Sequence, residues 1–222
     1  MDYSHIEKNV QEIIKTLPDG VTLVAAAKTR STEEVQAAIN GGIKVVGYNY
    51  LQEAEKIYRV IGDRVQWHMI GHLQRNKVKK ALQLFDMIET VDSVRLAEEI
   101  DKQCTLTGKS IPVLIEINSG REENKTGIFP EDIEKFVADI SCYKNIRIQG
   151  LMTMGLYMGE PEQIREYFRI TRNAFESLKK LNVPGVEMKY LSMGMSDSYN
   201  IALEEGANII RIGTKLFGER SY

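Results

Sequence analysis

Short apolar runs alternate along this chain with longer segments in which apolar residues recur every three or four positions. The short runs predict eight strands, at residues 21–27, 43–47, 66–70, 87–90, 113–118, 146–153, 188–192 and 209–212. The longer segments predict helices at 32–40, 51–61, 76–84, 93–106, 131–141, 162–181 and 198–204, with one more short helix near the C-terminus. An amphipathic helix in the first 17 residues precedes the first strand.

The regular alternation of strands and helices predicts an α/β protein with parallel strands. Eight such units favour a single (β/α)8 TIM-type barrel with an extra N-terminal helix, and we expect residues 1–222 to form one domain. An open doubly wound sheet is the alternative. Its usual G-x-G-x-x-G signature is missing after the first strand, where Lys28 stands instead.

Composition and charge exclude several classes of protein. The 29 basic and 31 acidic residues give a net charge of −2, so nothing predicts a nucleic-acid partner. No apolar run is long enough to span a membrane, and the charged first helix does not resemble a signal peptide. Cys104 and Cys142 lack metal-type spacing, so we expect no metal site and a reducing, cytoplasmic location.

Lys28 ends the first apolar run, VTLVAAAKTR, and directly precedes a helix-capping sequence with Ser31 and Glu34. The three alanines before it leave space, and partial burial there would lower the lysine pKa and favour a neutral, nucleophilic amine. An ordinary role is the alternative, because most lysines that end strands extend to solvent or pair with a carboxylate.

In a barrel, the chemistry lies at the carboxyl ends of the strands, so these residues are the candidates for function. Each has an ordinary alternative as a turn residue or a satisfied core residue. In chain order they are Lys28, Asn49, His68, Glu89 or Thr90, Asn118, Thr153, Ser192 and Arg211.

Two glycine- and hydroxyl-containing turns follow the last two strands, where barrels commonly bind phosphate. Such turns expose backbone N–H groups that suit an anion, although each alone could be a glycine turn with a serine cap. They contain Ser192, Gly194 and Ser196 after strand seven, and Gly213 and Thr214 after strand eight.

A lysine facing a phosphate site across the barrel mouth would suit a compact ligand with an aldehyde and a phosphate. Pyridoxal 5′-phosphate is such a molecule, and Arg211 is placed to meet its ring nitrogen.

The motifs AAAKTR, GYNYLQEA, WHMIGHLQRNK, INSGREENKTG, GLMTMG, SMGMSDS and RIGTKLFG resemble the pyridoxal phosphate homeostasis protein family over nearly the whole chain. The resemblance implies the barrel of the alanine racemase N-terminal domain, with pyridoxal phosphate held on Lys28 as an internal aldimine. It implies phosphate contacts from residues 192–196, Gly213 and Thr214, a ring-nitrogen contact from Arg211, and a cofactor-binding role for Asn49.

Two positions depart from the family pattern. Tyr48 replaces a usual glutamate, which puts any role of that glutamate in doubt, and Ser198 replaces a usual aspartate, which is a mild change because both residues cap helices.

Three classes of function are therefore open. A homeostasis protein would hold the cofactor and deliver it, with apo pyridoxal-phosphate enzymes as acceptors. An amino-acid racemase is the second; the chain ends eight residues after Thr214, without the second domain that resemblance to racemases implies. An arginine at the ring nitrogen also weakens the ring as an electron sink. The third is an aldolase using Lys28 on a substrate carbonyl. We expect the first, without steady enzymatic turnover.

Overall fold

The computed structural model describes residues 2–155 and 159–219. Its strands are β1 (Thr22–Ala26), β2 (Val45–Tyr48), β3 (Gln66–Met69), β4 (Met87–Val91), β5 (Ile111–Glu116), β6 (Ile146–Met152), β7 (Val186–Ser192) and β8 (Ile209–Ile212). Its α-helices are α1 (Ser4–Thr16), α2 (Thr32–Gly41), α3 (Leu51–Ile61), α4 (Val78–Leu84), α5 (Val94–Thr107), α6 (Ile133–Ile140), α7 (Pro161–Leu181), α8 (Tyr199–Glu204) and α9 (Thr214–Phe217). Short 3-10 turns occupy Gly62–Arg64, Arg75–Lys77 and Pro130–Asp132.

The eight strands close into a parallel barrel in sequence order, β1 to β8. Closure comes from the pairing of β8 with β1, in which Thr22 lies opposite Ile209 and Ala25 opposite Ile212. This confirms the predicted barrel with its extra N-terminal helix, and each of the eight predicted strands lies within two residues of an observed one at both ends.

The strands read as continuous apolar runs because both faces of the sheet are buried. One set of side chains fills the barrel interior and includes Val24, Val45, Ile70, Met87, Leu114, Met152 and Ile209. The residues between them pack outward in a larger layer with the helices. Alternation along each strand therefore decides which residues can reach the inner mouth of the barrel.

Helix α1 packs on α2 and α9 through Ile6, Val10 and Ile13, which are buried. Gly41 allows this close approach, because a Cβ there would lie 2.9 Å from the backbone oxygen of Glu7. No helix among the described residues combines the length and apolar character needed to cross a bilayer.

Candidate functional site

A cavity of about 750 Å³ opens at the carboxyl ends of the strands. Six of the eight predicted site residues line it, namely Lys28, Asn49, Ser196, Arg211, Gly213 and Thr214. Apolar side chains, including Ile70 and Met154, complete the wall. The structure therefore brings the strand-one lysine, the strand-eight arginine and both predicted turns to a single pocket.

Lys28 lies in a tight turn between β1 and α2, and its side chain is half-buried. The predicted capping box is present: the Glu34 N–H donates to Ser31 Oγ at 3.2 Å, and the Ser31 N–H donates to Glu34 Oε2 at 2.7 Å. Thr29 adopts a left-handed conformation with φ of 67°, which is unfavourable for a β-branched residue. Its N–H donates to Glu53 Oε2 on α3 at 3.0 Å, so an acidic side chain holds the strained residue next to Lys28.

Arg30 connects this lysine turn to the C-terminal end of α9. Its guanidinium forms a 3.0 Å ion pair with Glu34 and also donates to the carbonyl oxygens of Phe217 and Gly218. The lysine turn and the helix that begins at Thr214 are thereby joined, which fixes two sides of the pocket relative to one another.

The turns after β7 and β8 also contact each other directly. The Lys215 N–H donates to Ser196 Oγ at 3.3 Å. Gly213 lies close to β1, since a Cβ there would be 3.2 Å from the carbonyl oxygen of Ala26. The serine that departs from the family pattern, Ser198, accepts a 3.1 Å hydrogen bond from the Met195 N–H.

The two other predicted site residues lie outside the pocket lining. Gly194 has a φ of 94°, and a Cβ there would approach the Ala202 Cβ to 2.6 Å, so the glycine shapes the turn against α8. Ser192 is completely buried inside the barrel, where its hydroxyl accepts from Arg211 Nη1 at 2.5 Å and donates to Glu89 Oε2 at 2.6 Å. Both roles of that hydroxyl are thus used within the protein.

Arg211 ends a buried polar chain that crosses the barrel below the pocket. Its Nη2 donates to the Thr153 carbonyl at 2.6 Å, while Nη1 reaches Ser192. Glu89 Oε1 lies 2.6 Å from His68 Nδ1 at the far end of the chain. His68 and Glu89 were candidates as strand-end residues, and the structure gives them a common location under Arg211.

The charged side chains of this buried polar chain are at most 4% exposed, and they stabilise one another. Burial alone would raise the pKa of the Glu89 carboxyl, but the hydrogen bond from His68 and the charges of His68 and Arg211 outweigh it and lower that pKa. Burial lowers the pKa of the Arg211 guanidinium, and the carboxylates of Glu89 and Glu116 oppose this effect.

Sequence reasoning missed Glu116, which ends β5 two residues after the inward-facing Leu114 and is 5% exposed. Its Oε1 accepts from Thr126 Oγ1 at 2.8 Å, whereas its Oε2 has no hydrogen-bond partner among the described residues. Burial raises the pKa of this carboxyl, and nearby Asp92 adds to the effect. The strand period of two contained the signal that would have found it.

Tyr48, which replaces the usual family glutamate, faces the helix layer and not the pocket. Its ring stacks on Trp67 with centroids 5.7 Å apart, and its buried hydroxyl has no hydrogen-bond partner within the described residues. Burial raises the phenol pKa, with a smaller contribution from Glu53. Tyr48 is therefore a packing residue in this chain.

Charged side chains around the pocket favour an anionic ligand. The cations are Lys28, Arg30, Lys125 and Arg211, and the carboxylates are Asp197 and Glu219, which leaves an excess of two positive charges. Sequence reasoning missed Lys125 because it belongs to a long loop after β5 and not to a strand end. Its ammonium contacts Glu122 Oε1 at 2.7 Å and the Gly155 carbonyl at 3.3 Å.

Known proteins with similar sequences identify the family of this chain. Residues 1–221 match the family described as alanine racemase, N-terminal domain. A pyridoxal phosphate homeostasis protein of Aquifex aeolicus is 41% identical over 201 residues, which cover 90% of this chain and 87% of that protein. This chain belongs to the pyridoxal phosphate homeostasis protein family.

Solved structures support the family assignment. PipY of Synechococcus elongatus, in a structure with PLP bound, superposes with a TM-score of 0.89 at 30% identity, covering 96% of this chain and 100% of PipY. An alanine racemase of Clostridium difficile superposes with a TM-score of 0.76 at 16% identity, and this chain covers 56% of it. The racemase shows that the family shares its barrel fold.

Proposed function

We propose that this chain is a cytoplasmic, single-domain pyridoxal 5′-phosphate-binding protein of cofactor homeostasis. The observation that carries the proposal is the common pocket of Lys28, Arg211 and the turns containing Ser196 and Thr214. The family membership supports the same ligand, since PipY, a relative of known structure, is described with PLP bound. Free cysteines, with Cys104 buried and Cys142 exposed, agree with a reducing compartment.

The residues of the pocket fit each part of this ligand. The cofactor supplies an aldehyde, which a primary amine attacks reversibly with loss of water, and Lys28 provides that amine. The hydroxyls of Ser196 and Thr214 and the excess positive charge suit the phosphate. Arg211 provides N–H donors at the base of the pocket for the ring nitrogen, and Asn49 borders the same space.

The arrangement of side chains in the pocket favours binding of the cofactor without catalytic turnover of a substrate. Racemisation requires acid/base groups on both faces of the bound ring. Lys125, the second lysine of the pocket lining, has its ammonium engaged by Glu122 and Gly155. A donor arginine at the ring nitrogen also opposes protonation of that nitrogen, which weakens carbanion chemistry. We infer that apo pyridoxal-phosphate enzymes accept the cofactor from this chain.

Covalent attachment is tested by adding one equivalent of pyridoxal phosphate, reducing with borohydride and mapping the labelled peptide. We expect a near-ultraviolet to visible absorption band and a label on Lys28 alone. Lys28→Ala should lose the band with little change in thermal stability, because this lysine is only half-buried. The control Lys125→Ala, from the same pocket, should keep the label. A label on Lys125 in the unaltered chain would contradict the assignment of Lys28.

Delivery is tested by mixing the loaded chain with an apo pyridoxal-phosphate enzyme and, separately, with a panel of L- and D-amino acids. We expect the acceptor enzyme to gain activity while the amino acids remain unchanged. Racemisation or decarboxylation at about 1 per second or faster would favour the racemase-like alternative.

A further inference from the structure

In the buried polar chain from Arg211 to His68, only Arg211 lines the pocket, and the charged members of the chain are almost completely buried. Arg211 is 3% exposed, Glu89 is 0% exposed and His68 is 4% exposed. Four strands contribute to it: His68 from β3, Glu89 from β4, Ser192 from β7 and Arg211 from β8. Such a group is costly unless every member is paired, so its presence needs a physical reason.

The hydrogen bonds define the direction of the chain. Arg211 donates to Ser192, so the Ser192 hydroxyl has its own proton available for Glu89 Oε2. The pKa of Glu89 is lowered, so its carboxylate is ionised and accepts with both oxygens, and the Nδ1–H of His68 is then the donor to Oε1. One arrangement of protons satisfies all of these contacts.

Glu89 is also the counter-charge of Arg211. Its Oε2 lies 3.9 Å from Arg211 Nη1, and no other carboxylate within the described residues forms an ion pair with this guanidinium. Removing one member of a buried ion pair leaves the other charge uncompensated, which is far less favourable than removing both. Arg211 without Glu89 would thus be driven from its present position.

We propose that Glu89 and His68 are positioning residues that hold the Arg211 guanidinium beneath the cofactor ring, with its donors aimed at the ring nitrogen. The inference rests on the proposed function, because Arg211 can contact a ring nitrogen only when pyridoxal phosphate is bound in the pocket. Glu89 supplies the charge that fixes Arg211 through Ser192, and His68 fixes the orientation of Glu89. Neither residue is among those that line the pocket.

The test compares the affinity of pyridoxal phosphate with that of its 1-deaza analogue, in which C–H replaces the ring nitrogen. We expect the unaltered chain to bind pyridoxal phosphate at least tenfold more tightly than the analogue, because a tenfold ratio corresponds to about 1.4 kcal/mol, the typical contribution of one hydrogen bond. In Glu89→Gln this ratio should fall below about threefold. Glu205→Gln is the matched control: it removes another buried carboxylate, 7% exposed, whose ion pairs are with Arg165 and Arg172 on α7, and it should keep the preference. His68→Gln should keep more of it than His68→Leu, because glutamine retains an N–H donor.

The outcomes separate this inference from the proposed function. Absence of a label on Lys28 in the unaltered chain would refute the proposed function. A label on Lys28 together with equal affinities for the two ligands, or an unchanged preference in Glu89→Gln, would refute the inference alone. If Glu89→Gln does not fold, the apo double variant Glu89→Gln with Arg211→Met should fold and show a cooperative thermal unfolding transition, because no buried charge of the pair is then left uncompensated. A double variant that also fails to fold would overturn the pairing.

Discussion

The contact between Glu53 and the strained Thr29 predicts that a residue outside the pocket controls Lys28. A β-branched residue in the left-handed region costs about 1–2 kcal/mol relative to a right-handed conformation. The hydrogen bond from the Thr29 N–H to the Glu53 carboxylate is 3.0 Å long. Bonds to charged groups contribute about 1.5–3 kcal/mol, and because Thr29 is exposed we take the lower end, about 1.5 kcal/mol. The bond and the strain are therefore nearly equal.

Glu53→Ala should release Thr29 from its conformation, and the relieved strain offsets most of the lost hydrogen bond, so the free energy of unfolding should fall by no more than about 0.5 kcal/mol. Because Lys28 precedes Thr29 in the same turn, its amine would be directed less well, and cofactor affinity should fall about tenfold. Urea unfolding of the apo chain and a spectrophotometric titration with pyridoxal phosphate measure the two effects. The control is Glu55→Ala on the same helix, whose 3.9 Å ion pair with Lys80 is worth less than about 0.5 kcal/mol.

Thr29→Gly distinguishes strain from simple loss of a contact. Glycine adopts the left-handed conformation without a steric penalty, so Glu53 has less strain to offset. In the Thr29→Gly background no strain is released, so Glu53→Ala should cost the full hydrogen bond, about 1.5 kcal/mol of the free energy of unfolding, while cofactor affinity should fall less than in the threonine background. An equal cost in both backgrounds, or full cofactor affinity in Glu53→Ala, would refute the reasoning.

Three further predictions concern the phosphate, a glycine and a buried acid. Ser196→Ala should weaken pyridoxal phosphate about tenfold or more by loss of a charge-assisted hydrogen bond, while affinity for pyridoxal, measured in the same titration, changes little. Gly194→Ala should lower the free energy of unfolding by at least about 2 kcal/mol, because its φ of 94° and the 2.6 Å approach to Ala202 both oppose a Cβ; urea unfolding measures this. Burial raises the pKa of Glu116 above its usual 4.5, so its contribution to stability is complete below that pH and is lost as pH rises through the folded-state value. Glu116→Gln should therefore gain stability relative to the unaltered chain as pH increases from 4 to 8, and a pH-independent difference would contradict this.

The fold was predictable because each strand is buried on both faces. Uninterrupted apolar runs such as the one before Lys28 stand out against helices with one apolar stripe. The differences are at the ends of elements: the helix predicted at 131–141 is observed at Ile133–Ile140, after a 3-10 turn at Pro130–Asp132. A proline at that position starts a turn as readily as a helix, so the sequence does not decide between them.

The residues that line the pocket were largely predictable from the sequence, whereas the contacts that hold those residues in place were not. Strand ends and turns are local features, and they identified Lys28, Asn49 and Arg211, all of which line the cavity. The left-handed conformation of Thr29 has no sequence signal, because threonine rarely adopts it. Its acceptor, Glu53, lies 24 residues away and becomes relevant only when α3 packs beside the lysine turn.

Ser192 shows why the strand-end rule places a residue without giving its role. Its position after an inward-facing Tyr190 directs the hydroxyl into the barrel, as the period of two requires. What the hydroxyl contacts depends on Glu89, which lies 103 residues earlier in the chain and reaches it across the closed barrel. A hydroxyl that can both donate and accept is suited either to a phosphate or to a position between a cation and a carboxylate. The choice follows from burial: Arg211 and Glu89 are 3% and 0% exposed, so their pairing depends on protein groups and the serine completes it. We therefore expect the phosphate to meet Ser196 and Thr214, which line the pocket.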